Sequence, residues 1–332
     1  MSETFKALLV TQTPEEQFTS AVVDSNLDDL PPGEVLIRVH YSCLNYKDAL
    51  SATGNRGVTR KFPHVPGIDA AGVVVSSQVP QFQPDDAVLI TGYDLGMNTW
   101  GGFAEYIRVP AEWVVPLPAG LSLRESMILG TAGLTAALSV NALIQHEILA
   151  TSGEVLVTGS TGGVGSLAVS ILAKLGYSVV AVTGKEKSHD FLKQLGAKLI
   201  LDRSELNDKT GKPMLKGRWA GVIDTVGGNP LATALKTTQY GGCVTACGLV
   251  AGGDLPLTVY PFILRGVRLI GIDSVQCLMS QRLEIWSKLA QAWKPDYLEE
   301  LATTISLTQL PEKISEILKG KIQGRILVDL HE

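Results

Sequence analysis

The stretch from Glu154 to Gly176 constrains the fold of this chain more than any other. It opens with a short apolar, β-branched run, Val155 to Val157, and continues through three glycines spaced three residues apart, at positions 159, 162 and 165. An apolar pattern with helical period begins directly afterwards. The stretch therefore predicts a strand, a tight turn and a helix.

Each of the three glycines has a physical task in such a unit. Gly159 permits a sharp turn off the strand, Gly162 lets a phosphate approach the backbone, and Gly165 lets the helix pack close to the sheet. Free N–H groups at the start of the helix would face the pyrophosphate of a dinucleotide. Spaced glycines also occur in ordinary turns, so the surrounding pattern must decide.

The residues after this unit alternate between strand and helix signals. Including the first strand, the short apolar runs predict six strands, the others at 177–182, 198–201, 221–225, 242–247 and 267–272. Strands of this kind, separated by helical crossovers, are typical of a doubly wound parallel sheet. This context favours dinucleotide binding over an ordinary glycine-rich turn.

The first 120 residues have a different pattern and predict a strand-rich, barrel-like domain. Strands are expected at 5–10 and 34–41, with a polar loop between them, and a short helix begins within 42–50. The glycine-punctuated loop 92–102 is long enough to be a functional cover, although a plain surface loop fits it as well. A helix is expected over 125–146, and a closing strand at 326–330 should rejoin the first domain.

Composition excludes several classes of partner. The 332 residues carry a net charge of −5, which argues against binding to nucleic acid or an anionic membrane. No apolar run approaches the ~20 residues of a membrane span, and the first six residues lack a signal-peptide pattern. The four cysteines lack paired spacing and predict free thiols. A cytoplasmic protein is expected.

The tip of the second strand of the parallel sheet indicates which dinucleotide is bound. An acidic residue there would bind the ribose hydroxyls of NAD, whereas a 2′-phosphate needs a cation. The strand continues into Thr183, Gly184 and Lys185, and Arg203 follows the third strand. NADPH is therefore the expected coenzyme, with solvated surface charges as the alternative explanation of Lys185 and Arg203.

Several motifs along the whole chain resemble the medium-chain dehydrogenase/reductase superfamily. They are LNYKD (44–48), PGIDAAG (66–72), GGFAEY (101–106), GTAGLTA (130–136), VTGSTGGVG (157–165) and GKIQGRILV (320–328). Further runs are most similar to the NADPH-dependent acrylyl-CoA reductase branch, long labelled quinone-oxidoreductase-like. These are VVAVTGK (179–185), AGVIDTVGG (220–228), YGGCVTACGL (240–249) and PFILRGVRLIGIDSV (261–275).

The resemblance implies an α/β protein with a GroES-like, β-rich catalytic domain and a Rossmann domain with a doubly wound parallel sheet. The expected catalytic domain covers residues 1–122 and 299–332, and the expected NADPH-binding domain covers 123–298. A homodimer is also expected, because the strand at 267–272 could pair across a two-fold axis.

The chain departs from the zinc alcohol dehydrogenases that it resembles. Their metal-binding cysteine falls on Asn45, and the His and Glu of their GHE motif fall on Ile68 and Asp69. Neither an amide nor a hydrocarbon side chain can replace a thiolate or an imidazole at zinc. Their four-cysteine structural zinc lobe has no counterpart, so a metal-free protein is expected.

Two neighbouring residues are the catalytic candidates. Tyr46 resembles the active-site tyrosine of zinc-free enoyl reductases, where its phenol could donate to a substrate oxygen or relay a proton. Its ring could instead only form a wall of the nicotinamide site. Asn45 could orient substrate or the nicotinamide ribose, and Asp48 is expected to cap the following turn.

The resemblance also implies contacts to the coenzyme beyond the three glycines. The pyrophosphate would meet Thr161, Gly162, Gly163 and Val164, and the adenosine phosphate would meet Thr183, Gly184, Lys185 and Arg203. The nicotinamide end would meet Leu249, Ile263 and Ser274. Ile263 and Ser274 could alternatively serve a subunit contact made by the sixth strand.

The leading functional prediction is NADPH-dependent reduction of a short enoyl-CoA, with acryloyl-CoA to propionyl-CoA as the first candidate. Arg56, Arg60 and Lys61 could meet the coenzyme A tail, or belong to a solvated loop. Reduction of a quinone or a free enone is the enzyme alternative. A non-catalytic NADPH-binding protein is a third reading, from another functional class.

Overall fold

The computed structural model describes residues 4–331, which separate into two compact units. Unit 1 consists of Met1–Thr131, Val275–Ala290 and Leu298–Glu332, and unit 2 consists of Ala132–Ser274 and Gln291–Tyr297. The domain borders that the sequence suggested, after residues 122 and 298, stay a prediction.

Unit 1 is built mainly from strands. They are β1 (Thr4–Gln12), β2 (Phe18–Asn26), β3 (Val35–Leu44), β4 (Asp69–Ser77), β5 (Ala87–Thr91), β6 (Tyr106–Val109), β7 (Val115–Pro116), β14 (Ala302–Ser306) and β15 (Arg325–Asp329). β1 and β2 form a hairpin, and the others form a mixed sheet in the order β14-β15-β3-β4-β5-β7, with β6 also paired to β3. As predicted, the closing strand rejoins the N-terminal part, because β15 pairs antiparallel with β3.

The sequence analysis missed strands of unit 1, including β2, the two-residue β7 and β14. The segment expected to be a polar loop contains β2, with the sequence FTSAVVDSN, whose residues are mostly half-buried or exposed. β2 pairs with β1 along its full length. It is therefore held by backbone hydrogen bonds and lacks the apolar pattern by which a buried strand is recognised in a sequence. β14, with the sequence ATTIS, has only one fully buried residue and is similarly inconspicuous.

The described part of unit 1 contains three complete α-helices and the first part of a fourth. They are α1 (Tyr46–Ala52), the first part of α2 (Leu123–Gln145), α7 (Met279–Ala290) and α8 (Leu310–Leu318). α1 packs against α8, and both cover an apolar core that includes Leu44, Ala49 and Leu310. Packing against this core therefore fixes the position of α1.

The sequence predicted one continuous helix over 125–146. The structure shows instead that α2 is interrupted at Gly130. Gly130 has φ +51° and ψ −156°, which is not helical and is a conformation that glycine adopts far more easily than other residues. Among the described residues, α2 is the helix whose length and hydropathy would suffice to cross a membrane. Most of its apolar window, 83%, is buried within the protein, as in the core helix of a globular protein.

Unit 2 alternates strands and helices. Its strands are β8 (Glu154–Val157), β9 (Ser178–Thr183), β10 (Leu199–Asp202), β11 (Trp219–Asp224), β12 (Thr238–Ala246) and β13 (Arg268–Gly271). Its further helices are α3 (Gly163–Lys174), α4 (His189–Gln194), α5 (Gly228–Thr237) and α6 (Tyr260–Arg265). All six strands are parallel, in the order β10-β9-β8-β11-β12-β13, which confirms the predicted doubly wound sheet.

Candidate active site

The glycine-rich turn between β8 and α3 has the geometry that the sequence predicts. Gly159 has φ +57°, and a Cβ there would lie 2.3 Å from Thr225 Oγ1. A Cβ on Gly165 would lie 2.3 Å from the carbonyl oxygen of Gly159. The start of the helix therefore packs against the backbone of the turn with no room for a side chain. Gly162 caps the helix, whose first turn contains Gly163 and Val164 and follows Thr161. This is the arrangement that binds a pyrophosphate at a helix N-terminus.

A buried hydrogen-bond pair that the sequence analysis missed holds this turn in place. Thr158 Oγ1 donates to Asp224 Oδ1 at 2.8 Å, and the other oxygen of Asp224 accepts from the backbone N–H of Gly227 at 2.7 Å. Burial raises the pKa of Asp224, which the backbone donors oppose. The turns after β8 and β11 are thereby fixed side by side.

The structure brings together the four residues expected at the adenosine phosphate. Thr183 lies opposite Asp202 at the carboxyl ends of β9 and β10. The Arg203 side chain crosses Gly184, where a Cβ would lie 2.7 Å from Arg203 Nε, and the backbone N–H of Lys185 donates to Thr183 Oγ1. Partial burial lowers the pKa of the Lys185 ammonium.

The residues expected at the nicotinamide end do not all lie together. A cavity of about 430 Å³ at the carboxyl ends of β12 and β13 is lined by Leu249 and by 271–273, next to Ser274. Ser274 is buried and accepts a hydrogen bond from Thr135 Oγ1 at 2.7 Å. Ile263 lies on α6, is 67% exposed, and does not line this cavity. Its position fits the alternative of a subunit contact at least as well.

Tyr46 is the first residue of α1 in unit 1 and is 40% exposed. Within residues 4–331 its hydroxyl has no hydrogen-bond partner, so the group is available to an incoming molecule. Asn45 precedes it in an extended conformation and is only 9% exposed. The catalytic roles of both residues stay predictions.

Asp48 caps the start of α1, as the sequence predicts. Its Oδ2 accepts from the backbone N–H of Asn45 at 2.7 Å, and its Oδ1 accepts from the backbone N–H of Ile68 at 2.8 Å. The carboxyl group thus joins the start of the helix to the segment before β4. Burial, with the neighbouring Asp69, raises the pKa of Asp48 to about 7.

This raised pKa makes the effect of Asp48 on stability depend on pH. The folded state keeps the proton up to about pH 7, whereas the unfolded chain loses it near pH 3.9, so the free energy of unfolding falls as pH rises between these values. Asp48→Asn lacks this titration. Between about pH 5 and about pH 7, its stability relative to the wild type should improve by roughly 2 kcal/mol.

Urea unfolding of the two proteins at both pH values measures this difference. The Asn variant loses an acceptor for one backbone N–H, so it can be the less stable protein at both values without affecting the comparison. A stability difference independent of pH would contradict the prediction.

Behind Asn45 lies a buried network of polar side chains from three elements. Asp69 Oδ2 accepts from Asn45 Nδ2 at 2.8 Å and from Cys43 Sγ at 3.0 Å. Arg325 donates from Nη1 to Asn45 Oδ1 at 3.2 Å and from Nη2 to Cys43 Sγ at 2.9 Å. Burial, with the Asp69 carboxylate, raises the pKa of Cys43 well above its usual value, so the thiol keeps the proton that it donates.

Sequence reasoning missed Arg325 and gave Asp69 no role beyond its alignment with a glutamate. A signal was available, because each is a charged residue next to a run of apolar strand residues. Charges are rarely buried in such places unless they are paired.

The residues at this position do not fit a zinc ion. Asn45 and Ile68 replace two zinc ligands of the dehydrogenases that the chain resembles, and the Asn45 amide is engaged on both sides by Asp69 and Arg325. A guanidinium lies beside the only nearby thiol, where it would repel a dication. Across residues 4–331, no group of three or more His, Cys, Asp or Glu side chains could hold a metal.

The long loop 92–102 is packed into unit 1 rather than free to move as a cover. Leu95 is fully buried, and the carbonyl oxygen of Gly96 lies 2.9 Å from His64 Nε2. The backbone of Gly101 and Gly102 donates to residues 65 and 67. This arrangement favours the interpretation as a fixed part of the unit.

Comparison with known proteins gives full-length matches. The family described as alcohol dehydrogenase GroES-like domain matches residues 31–119, and that described as zinc-binding dehydrogenase matches residues 163–291. The acrylyl-CoA reductase AcuI of Ruegeria pomeroyi is 47% identical over 98% of this chain and 99% of its own. YhfP of Bacillus subtilis, named as a quinone oxidoreductase, is 47% identical over 99% of this chain and 100% of its own.

Two solved structures are closely similar. The YhdH oxidoreductase of Salmonella enterica in complex with NADP matches with a TM-score of 0.95 and 48% identity, over 98% of this chain and 99% of its own. The Bacillus subtilis YhfP structure with NAD bound matches with a TM-score of 0.96 and 47% identity, over 99% of this chain and 100% of its own.

Proposed function

Because the chain belongs to the medium-chain dehydrogenase/reductase superfamily, we propose that it reduces the carbon–carbon double bond of a short α,β-unsaturated acyl-CoA with NADPH. Acryloyl-CoA, which would give propionyl-CoA, is the first candidate substrate. The observation that carries this proposal is the 47% identity to AcuI over nearly the full length of both chains. The fold and the family make the protein an oxidoreductase.

The residues of unit 2 fit NADPH. The turn at Gly159 to Gly165 would hold the pyrophosphate, and Lys185 and Arg203 would pair with the 2′-phosphate. A close structural neighbour was solved with NADP, although YhfP was solved with NAD, so the cations are worth a direct test. The chemistry that NADPH supplies when bound is a hydride for the β-carbon of the acyl group.

The chain itself must stabilise the negative charge that hydride addition leaves on the thioester oxygen. Tyr46 is partly exposed and its hydroxyl has no partner among the described residues, so the hydroxyl can donate a hydrogen bond to that oxygen or pass a proton toward the α-carbon. The Asn45 amide is already occupied on both sides, which favours a supporting role. No step requires a metal, and we include zinc independence in the proposal.

The coenzyme A tail would meet exposed cations near α1. Arg56 lies about 6 Å from the centres of the Phe18 and Phe62 rings and donates to the carbonyl oxygen of Arg60. Arg60 and Lys61 are exposed, and neither forms a salt bridge with a described residue. These two side chains are therefore better suited than Arg56 to contact phosphates.

The test of this function follows NADPH absorbance after acryloyl-CoA is added to purified, EDTA-treated protein. Reactions with NADH and with a simple quinone run in parallel. Rapid oxidation of NADPH by acryloyl-CoA alone would support the thioester reductase. Oxidation by quinone alone would favour the second candidate, NADPH:quinone oxidoreductase, which the likeness to YhfP supports. Activity only after zinc is restored would refute the metal-free site.

Coenzyme choice provides a prediction of its own. Truncating both Lys185 and Arg203 to alanine should raise the Michaelis constant for NADPH by about 100-fold or more and leave that for NADH nearly unchanged. Each charge-assisted hydrogen bond to a phosphate contributes about 1.5–3 kcal/mol. Lys187→Ala, which removes an exposed cation two residues further on, is the control for loss of a nearby surface charge. Equal losses with NADPH and NADH would contradict the assignment.

The proposal includes a cytoplasmic homodimer. The segment 249–264 exposes several large apolar side chains, including Leu249, Val259, Ile263 and Leu264. β13 follows this segment and lies at the edge of the sheet, where a second copy could add its own β13. A monomeric mass by light scattering would contradict this part.

A further inference from the structure

Two oppositely charged side chains are buried together in unit 1, out of contact with solvent. Asp69, at the start of β4, is 0% exposed, and Arg325, at the start of β15, is 2% exposed. Taking charges out of water is costly unless each one is paired and hydrogen-bonded. The shape of the network around them indicates what this arrangement accomplishes.

Asp69 and Arg325 hold the side-chain amide of Asn45 from opposite sides. The amide nitrogen donates to Asp69 at 2.8 Å, and the amide oxygen accepts from Arg325 at 3.2 Å. The backbone N–H of Asn45 is held separately by Asp48 at 2.7 Å. Both ends of the Asn45 side chain and its backbone are therefore fixed, and Tyr46 is the next residue.

The remaining polar atoms of the two charged groups are also engaged. Asp69 accepts from the backbone N–H and the hydroxyl of Thr131, at 2.9 and 2.5 Å, and Arg325 Nε donates to the carbonyl oxygen of Ile128 at 2.9 Å. These two backbone groups flank the break in α2 at Gly130. A fully satisfied network in a buried site is rigid.

We propose that Asp69 and Arg325 are positioning residues, which act on the reaction through Asn45 and Tyr46 without contacting substrate or coenzyme. The inference rests on the proposed function, because it takes Tyr46 as the donor to the substrate. Without the Asp69 carboxylate, the Asn45 amide loses its charged acceptor and the Asn45 side chain is no longer fixed on that side, although Asp48 still holds the backbone. Small displacements of a donor lower the rate of the chemical step strongly.

Asp69→Asn tests this proposal while keeping the shape of the side chain. The value of kcat should fall about 10- to 100-fold, whereas the Michaelis constant for NADPH should stay within about twofold. The activity is measured with the substrate that the wild type reduces, acryloyl-CoA or a quinone. The same substitution is then made in a Tyr46→Phe background, where it should lower kcat little further, because the hydroxyl that it positions is absent.

The double variant separates this inference from the function on which it rests. If Tyr46→Phe alone leaves kcat unchanged, the donor role in the proposed function is refuted. If Tyr46→Phe lowers kcat but Asp69→Asn lowers it by the same factor in both backgrounds, positioning through Tyr46 is refuted on its own.

A swap of two residues keeps the test decisive if Asp69→Asn does not fold. In the double variant Asn45→Asp with Asp69→Asn, one carboxylate remains beside Arg325 and the amide–carboxylate hydrogen bond is reversed. Recovery of kcat to within about tenfold of the wild type supports the proposal. A folded swap variant whose kcat stays about 100-fold low contradicts it.

Discussion

Tyr46→Phe is expected to lower kcat by about 100- to 1,000-fold with little change in the binding of NADPH. The loss corresponds to about 3–4 kcal/mol, the typical effect of removing one preorganised donor to a developing oxyanion. Tyr46 is suited to this role because the residue is partly exposed and begins α1, and because no other described residue engages its hydroxyl. Phenylalanine retains the ring, so any wall that Tyr46 provides for the nicotinamide site would remain.

Steady-state kinetics with the preferred acceptor measures kcat, and coenzyme fluorescence measures the dissociation constant of NADPH. Tyr297→Phe, at a residue that is 46% exposed, is the matched control and should behave as the wild type does. Unchanged kcat with a raised dissociation constant for NADPH would show that Tyr46 only forms part of the coenzyme site.

Gly130→Ala is expected to lower the thermal midpoint of unfolding by about 10 °C. The new Cβ would lie 2.6 Å from Asp69 Oδ2 and 2.7 Å from Cys43 Sγ, inside a network with no free space. The conformation at Gly130 is also unfavourable for alanine. The two effects together cost roughly 3–5 kcal/mol, and in a unit of this size each kcal/mol shifts the midpoint by about 2–4 °C.

Gly217→Ala is the control for this variant, because its Cβ would meet neighbours at 3.4 Å or more and its φ is not positive. Its midpoint should stay within about 2 °C of the wild type. Kinetics of the Gly130→Ala protein, measured below its midpoint, should show a lowered kcat, since the same clash displaces the groups around Asn45. A midpoint equal to that of the control would show that the network can move aside.

The sequence predicted the parallel sheet of unit 2 well because its strands are continuous apolar runs separated by helices with a different period. The turn at Gly159 and Gly165 was equally predictable, since a Cβ at either position would lie only 2.3 Å from a neighbouring atom and glycine alone lacks a Cβ. The hairpin strand β2 was not, because half-buried residues carry a weak apolar pattern. The break in α2 was missed because Gly130, together with Ala132 and Ala136, fits the pattern of small residues at close-packing positions of one continuous helix.

The catalytic candidates Asn45 and Tyr46 were found through the resemblance to a family. The residues that hold Asn45 in place were not found from the sequence. The partners of Asn45 come from β4 and β15, and the second is 280 residues away in the chain. No local pattern encodes a contact over such a separation. The presence of Asp69 and Arg325 beside apolar strand residues signals that two buried charges must meet, but identifies neither their geometry nor the residue that they hold.

The pairing of β15 with β3 also bears on how the protein is made. Residues 35–45 leave the ribosome long before β15 exists, and at about 5–20 residues per second the delay is some tens of seconds. During that time residues 41–44, at the end of β3, lack their partner strand, and an unpaired strand edge invites association with other nascent chains. The Asn45 side chain likewise lacks its hydrogen bond from Arg325 until the end of the chain has been synthesised. A segment synthesised early is therefore among the last to gain all its partners, and protection by chaperones should matter more for unit 1 than for unit 2.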